Sequence, residues 1–388
     1  YVRTCNLPAG SNVMNCHYIF TVKRKADGSI DKFKARLVAD GNTQKYGINY
    51  DRIFATVIKS LTIRLVLIIA AARDYNLSSL DIRQAYLQAE IKEDLYMRVP
   101  PGVSPHTPAG EHRVCKLRRS LYGLRQAGRE WAMLLANFIL KWGFTRSAID
   151  VCLFIYTSGS SILWLLVYVD DILICGNCAL LCARFVEALS QRFPVEDKGE
   201  LEWILNIKVT RDRVARTLTM SQALYVSDMS QRFQSYTPAT NSRNFDSPMD
   251  DALVLSPEDS PAINSPEWVE MTPQRDTYMA VVGGILWLAN MTRFDLCYAA
   301  SQLARFMTNP GPTHFAAAMR VLIYLRATVD RALTFRPNGD AGFEAYIDSN
   351  WSTRFSASGA LFFFHGCLAL WFSKMQRSVT LSSAEAEF

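Results

Sequence analysis

Leu166-Val167-Tyr168-Val169-Asp170-Asp171-Ile172-Leu173-Ile174 is the stretch on which the fold turns. Two adjacent carboxylates stand in the middle of an apolar run that extends from Ile162 to Cys175. Burying charge without a partner costs several kcal/mol or more. Two neighbouring carboxylates repel, so one takes up a proton unless a cation sits beside them, and a divalent metal is such a cation. The apolar flanks, Leu163 to Val167 and Ile172 to Ile174, are too short and too rich in β-formers for one membrane helix. They read as two buried strands of a hairpin with the acids at its turn. That geometry lifts two carboxylates out of a sheet and aims them at one spot, a phosphoryl-transfer site in outline.

A two-metal site needs a third acid from elsewhere. Asp81 is the candidate, at the C-terminal end of a short strand from Leu77 to Ile82; taken alone it reads equally as a strand-end or helix N-cap aspartate. Before it, Ser60 opens a helix with the stripe Leu61, Leu65, Ile68, Ile69 and Ala72. A second amphipathic helix runs from about Ala127 to Trp142 through Trp131, Leu134, Leu135 and Phe138, with Gly143 at its end. Strands are expected at 18–24 and 34–40, joined by Ala26-Asp27-Gly28-Ser29, and at 151–157 and 162–168 around Ser158-Gly159-Ser160. A helix at 179–193, a hairpin at about 203–220 and a helix opened by Ser221 follow. Residues 236–275 hold six of the chain's fifteen prolines and read as a linker or long surface excursion. Helices at 277–290, 295–307 and 313–327 come next, the last capped by Thr313. Short strands at 343–347, 358–364 and 367–372 precede a helix that begins at Ser382-Ser383-Ala384-Glu385.

The chain has 388 residues, more than one core holds, so two or more domains are expected. Apolar content of 49% and charged content of 20% are those of a globular protein. No run of 18 apolar residues marks a membrane helix and no signal peptide opens the chain, so no membrane partner and no secretion are expected. Nine cysteines without framework spacing point to a reducing, intracellular compartment, the cytoplasm. Cys175-x-x-Cys178-x-x-x-Cys182 lacks a fourth ligand and reads as small buried residues. A net charge of +6 permits a nucleic-acid partner without demanding one. The basic residues cluster at Lys23-Arg24-Lys25, Lys32, Lys34 and Arg36, and again at Arg113, Lys116, Arg118, Arg119, Arg125 and Arg129. The first residue is not Met and the last are Glu385-Ala386-Glu387-Phe388, so a fragment at both ends is expected.

Tyr168-Val169-Asp170-Asp171 resembles the YxDD signature of reverse transcriptases. Lys34-Ala35-Arg36-Leu37-Val38-Ala39, Leu80-Asp81-Ile82 with Ala85-Tyr86-Leu87, and Ser120-Leu121-Tyr122-Gly123-Leu124-Arg125-Gln126-Ala127 are similar to segments of the copia-type (Pseudoviridae) retrotransposon polymerase, in the same order. Leu286-Trp287-Leu288-Ala289-Asn290-Met291-Thr292-Arg293 and the Ser382 to Glu387 end match as well. The resemblance covers nearly the whole chain. It implies an α+β, right-hand polymerase of fingers, palm and thumb, then a helical connection and a truncated ribonuclease H-like α/β domain. The corresponding divisions are 1–200 for fingers and palm, 201–235 for a primer-grip hairpin and the start of the thumb, 236–276 for the linker or excursion, 277–340 for a helical thumb or connection, and 341–388 for the incomplete last domain.

The implied activity is RNA-directed DNA synthesis from deoxynucleoside triphosphates on an RNA or DNA template with a primer, inside a virus-like particle. Asp81, Asp170 and Asp171, with the backbone carbonyl of Ile82, would hold two Mg²⁺ ions, for which Mn²⁺ could substitute; oxygen-only ligation suits Mg²⁺ better than Zn²⁺. Lys34 and Arg36 would hold the triphosphate, Tyr86 would lie under the sugar and exclude a ribose 2′-hydroxyl, and Tyr122 and Gly123 would pack against the nascent base pair. Arg125, Tyr168, Leu205 and Asn206 would contact template–primer. Asp348 and Glu385 match two acids of a ribonuclease H site whose remaining aspartate lies beyond residue 388, so RNA cleavage is not expected. The sequence departs from the family pattern at Asp40, Asn42, Thr56, Gly128, Asn206 and Asn350, the charge reversal at Asp40 lying nearest the triphosphate cluster. A metal-dependent nuclease or phosphatase of another fold would need a His-rich or Glu-rich cluster, which is lacking. A degenerate remnant that binds template–primer without synthesis shares every motif above.

Overall fold

Alternating burial along Ser161–Tyr168 and a nearly continuous buried run along Asp171–Gly176 make these two strands the middle of a six-stranded antiparallel sheet. This computed structural model describes residues 2–5, 7–8, 10–24, 29–106, 110, 113–237, 245–250, 252–339, 342–350, 356–377 and 382–387. The expected turn at Asp27-Gly28 lies outside them, as do residues 238–244 and 251 of the Pro-rich stretch. The fold is mixed α/β, in two compact units: residues 1–59 with 76–200, and residues 60–75 with 201–388.

In the first unit the sheet runs Val195–Glu200, Asn76–Ile82, Asp171–Gly176, Ser161–Tyr168, Leu153–Ser158, Thr145–Arg146. The helices Ala127–Trp142 and Ala179–Arg192 cover it, burying Trp131, Leu135, Ile139, Phe185 and Leu189 against Leu80, Leu163, Leu165, Ile172 and Ile174. The period of the predicted Trp131 stripe therefore faces the sheet. A smaller sheet joins Val2–Cys5, Val114–Leu117, Tyr96–Met97 and Val13–Met14. The strands Cys16–Arg24 and Ile30–Ala39 form a two-stranded ribbon. The strand Val195–Glu200 was not expected: Val195-Glu196-Asp197-Lys198-Gly199-Glu200 is acidic and poor in β-formers, and it is strand only because the edge of Asn76–Ile82 offers it a ladder.

The second unit has a helical core from Thr272–Met291, Cys297–Ala304, Pro312–Ala327 and Ala223–Arg232. Against it lie a sheet ordered Trp203–Ile204, Ile207–Asp212, Thr217–Ser221, Leu333–Phe335, and the three-stranded meander Phe343–Asn350, Ala357–Phe364, Cys367–Met375. The Pro-rich stretch is not free chain where it is described: Met249 and Leu255 are buried in the helical core. The Ser256 carbonyl bonds the ring of His314 at 3.0 Å. Thr313 does not cap the last long helix. Pro312 starts it one residue earlier, as its fixed φ favours, and the Gly311 N–H is answered by His314 Nδ1 at 2.9 Å. Likewise Ser221 ends a strand, and the helix begins at Ala223.

The helix Ser60–Arg73 belongs to this second unit, and Arg64 shows why. Arg64 is 2% exposed, with burial lowering its pKa to about 10. It donates to the carbonyls of Ala369 (2.6 Å), Asn290 (2.8 Å) and Met291 (3.2 Å) and lies 4.0 Å from the Trp371 ring. Two of those carbonyls are at the open end of Thr272–Met291, where a cation is favoured. Among the described residues no helix is long and apolar enough to cross a membrane.

Candidate active site

The acids are assembled by strand register. Tyr168 pairs with Asp171, which leaves Val169 and Asp170 as a two-residue turn. Asp171 stands opposite Asp81, and Asp81 opposite Glu196 on the next strand. Directly opposed residues share a face, so Asp171, Asp81 and Glu196 form one cross-strand row with Asp170 beside it. Like charges so placed repel and must be compensated. Lys198 Nζ sits 3.1 Å from Asp81 Oδ2 and 3.4 Å from Asp171 Oδ1. Arg83 Nε takes Glu196 Oε2 at 3.1 Å.

Asp170 is the least compensated member. Burial, first, and then the charges of Asp171 and Asp81 raise its pKa, against the opposing pull of its backbone hydrogen bond and of Lys198. Burial disfavours the Lys198 charge, but its bonds and proximity to Asp81 and Asp171 outweigh that and raise its pKa.

The turn itself is held from two sides. Val169 has φ +56°, an outlier for a β-branched residue and a mark of a conformation imposed by its surroundings. The Trp131 indole N–H donates to the Val169 carbonyl at 2.6 Å, and the Ile82 N–H donates to the Asp170 carbonyl at 2.8 Å. Trp131 thus both fills the core and fixes the turn.

The acids open into a cleft of 540 Å³ whose walls include Asp81, Asp170, Lys198, Tyr122 and, from the ribbon, Lys32, Lys34 and Arg36. Strand alternation puts those three cations on one face of the ribbon. The other face carries Phe20 and Phe33, each 76% exposed. The Arg36 guanidinium lies 5.5 Å from the Tyr122 ring, and Tyr122 meets Tyr86 edge-on at 5.3 Å. Tyr86 is half-buried and lines a smaller apolar cavity of 60 Å³ with Trp131 and Val169. Burial, then Asp170, raises its pKa.

Gly123 has φ +88°, and a Cβ on it would lie 2.1 Å from the Ala39 carbonyl oxygen. The turn can therefore close on the ribbon, where the Ala39 N–H donates to the Tyr122 carbonyl at 2.8 Å, only without a side chain. Arg125 is committed to the chain itself: Nε donates to the Gly41 carbonyl at 2.9 Å and the guanidinium lies 5.5 Å from the Tyr50 ring. Asp40 pairs with His17 Nδ1 at 2.8 Å and is not among the residues lining the cleft.

In the second unit, Leu205 (φ +50°) and Asn206 (φ +61°) are the two turn residues between Trp203–Ile204 and Ile207–Asp212. Asn tolerates that conformation, which accounts for Asn206 standing where the family pattern has Gly. Asp348 lies on the strand Phe343–Asn350 opposite Gly359, and Glu385 on the short helix Ser383–Glu387 that packs against that strand.

Oxygen-only donors suit a hard divalent cation. Two of them already converge on one point, which an ammonium occupies, and Asp170 stands beside it with its charged form disfavoured by burial and by its acidic neighbours, as a carboxylate awaiting a cation would be. The donor chemistry therefore fits, although among the described residues no three His, Cys, Asp or Glu side chains are gathered as a metal cage. Sequence reasoning missed Lys198, Glu196 and the hydrogen bond of Trp131. The first two sit on the unforeseen strand. Only the apolar role of Trp131 is visible in a periodicity.

The family model for reverse transcriptase (RNA-dependent DNA polymerase) matches residues 2–249. The chain is 37% identical over 388 residues to the retrovirus-related Pol polyprotein from transposon RE1 of Arabidopsis thaliana, covering 98% of this chain and 25% of that protein. It is 34% identical over 388 residues to the Pol polyprotein from transposon TNT 1-94 of Nicotiana tabacum, covering 98% and 28% respectively. The chain spans about a quarter of the length of these curated relatives. Among solved structures it is similar to the foamy viral protease-reverse transcriptase in complex with RNA/DNA hybrid, with TM-score 0.42 and 10% identity, covering 96% of this chain and 40% of that one.

Proposed function

The chain belongs to the reverse transcriptase (RNA-dependent DNA polymerase) family, and from that premise we propose that it carries the polymerase of a copia-type retrotransposon Pol polyprotein. The reaction is transfer of a nucleotide from a deoxynucleoside triphosphate to a primer 3′-hydroxyl, directed by an RNA or DNA template. The ribbon of Cys16–Arg24 and Ile30–Ala39 then belongs to the fingers and the six-stranded sheet is the palm. The second unit supplies thumb, connection and the beginning of a ribonuclease H-like domain. One observation carries the reading: Asp81 and Asp171 converge on a single cation position, and Asp81 and Asp170 line one cleft with Lys32, Lys34 and Arg36.

Asp81, Asp170 and Asp171 would hold the divalent ions. When bound, a pair of Mg²⁺ or Mn²⁺ ions supplies acidification of the primer hydroxyl and stabilisation of charge on the transferring phosphoryl group. The remaining work falls to the chain. Arg36 offers a planar fork and Lys34 a point charge to the triphosphate oxygens. Trp131 and the Ile82 amide hold the Val169–Asp170 turn, so the acids need no reorganisation when substrate arrives. Gly123 brings the Tyr122 turn against the ribbon. Primer extension on an RNA template with Mg²⁺ and all four deoxynucleotides tests the proposal. Nucleotide addition is expected; template–primer binding without any addition would make the chain a binding remnant.

Tyr86 is proposed to select the sugar, supported by its edge contact with Tyr122 and by the influence of Asp170 on its hydroxyl. Tyr86→Ala is expected to raise ribonucleotide use relative to deoxynucleotide use by at least about tenfold, a loss of roughly 1.4 kcal/mol of discrimination. Unchanged sugar preference in single-nucleotide addition would remove Tyr86 from this role.

A further inference from the structure

We propose that Lys198 is a built-in counter-ion of the acidic row, one that a divalent ion must displace, so that the free protein binds metal weakly. The proposal rests on the reading that Asp81 and Asp171 are metal ligands. Three features support it. The ammonium bridges these two carboxylates, one oxygen of each, at 3.1 and 3.4 Å. Asp81 and Asp171 would hold a divalent ion through these same carboxylates, and two cations cannot share one point between them. The backbone is also shaped to aim this side chain. The register of Val195–Glu200 against Asn76–Ile82 shifts between Asp197 and Glu200, the irregularity that holds Lys198 and Gly199.

Gly199 has φ +74°, and its N–H donates to Asp197 Oδ1 at 2.8 Å. An Asp and a Gly flanking Lys198 thus build a bulge, the device by which a strand re-aims one residue beside a site. Finally, Glu196, the acid at the end of the row, is paired with Arg83. Among the described residues, Lys198 is the cation bridging the other two. A lysine ammonium is a compact, hydrated charge on a flexible stem, able to leave as readily as it arrives.

The test is Mn²⁺ binding by the whole chain without nucleotide or nucleic acid, read from the loss of the free-ion electron paramagnetic resonance signal. Lys198→Gln and Lys198→Ala, two neutral replacements at a half-exposed site, are expected to tighten Mn²⁺ binding by about tenfold or more, the scale of one adjacent charge near a protein surface. Lys198→Arg keeps the charge and should bind as weakly as the unaltered chain. Adding Asp171→Asn to Lys198→Gln should abolish the gain. Unchanged or weaker binding in both neutral variants, with Asp171→Asn still removing what binding there is, overturns the counter-ion role and leaves the acids as ligands. Binding indifferent to Asp171→Asn in every background overturns both.

Discussion

Asp171→Asn is expected to lower the rate of primer extension by about a thousandfold or more while leaving the protein folded. A metal-held phosphoryl transfer draws several kcal/mol from its ions, and each 1.36 kcal/mol is about tenfold in rate. The amide keeps the shape of the carboxylate and an oxygen for Lys198, but it withdraws the charge that holds a cation. The fold has little to lose. Asp171 is 44% exposed and faces Asp81 across the ladder, so removing its charge also relieves a repulsion. Stability should stay within about 1 kcal/mol of the unaltered chain. Single-turnover extension and urea unfolding on the same preparation check both halves. A variant that extends primers at the unaltered rate would take Asp171, and with it the proposed catalytic set, out of the chemistry.

The acids were legible because they break a strong local rule. Asp170 and Asp171 interrupt a run of β-formers, and a charge pair there needs a turn and a cation, both of which strand register supplies. Asp81 was legible for the same reason, at the end of a short apolar strand. Lys198 was not, since nothing in Glu196-Asp197-Lys198-Gly199 distinguishes a solvated loop from an edge strand. Its identity as a strand comes from a neighbour more than a hundred residues away in sequence. Long-range pairing of that kind leaves no period to read.

The same blindness applies to Met249 and Leu255, two apolar residues in a polar, Pro-rich stretch whose burial depends on helices later in the chain. Arg64 is the inverse case. Its helix reads as an apolar stripe, and a sequence gives no hint that the arginine in its second turn caps a distant helix rather than facing water. Helix positions set by a 3.6-residue period, such as Ala127–Trp142, agree with expectation because local propensity and the tertiary core ask for the same residues.

Arg293→Met is expected to destabilise the second unit by about 3–5 kcal/mol at neutral pH, the cost of breaking a buried ion pair by removing one partner. Arg293 is 2% exposed and binds Asp295 through two parallel bonds, Nε to Oδ1 at 2.9 Å and Nη2 to Oδ2 at 2.8 Å. It also donates to the Thr328 carbonyl at 3.1 Å, so it ties the end of Thr272–Met291 to the end of Pro312–Ala327. The Tyr324 hydroxyl completes the set, donating to Asp295 Oδ2 at 2.8 Å. Methionine fills a similar volume but takes the forked partner from the carboxylate, leaving it the Tyr324 hydroxyl and the more distant Arg331; lysine restores the charge without the fork and should recover only part of the loss.

The pH dependence separates this cause from simple packing. Burial pushes the Asp295 carboxyl up, but the bond and charge of Arg293, then Tyr324 and Arg331, hold it below its ordinary value. A depressed folded-state pKa gives stability that is complete above the unfolded carboxylate value, about 3.9, and lost as pH falls through the folded value. The deficit of Arg293→Met should therefore be full at neutral pH and shrink below about pH 4. Urea unfolding at neutral and acidic pH reads it directly. A deficit of the same size at both would mean that lost packing, and not the ion pair, accounts for the change; no deficit at either would mean that the Arg293–Asp295 pair is not what joins these helices.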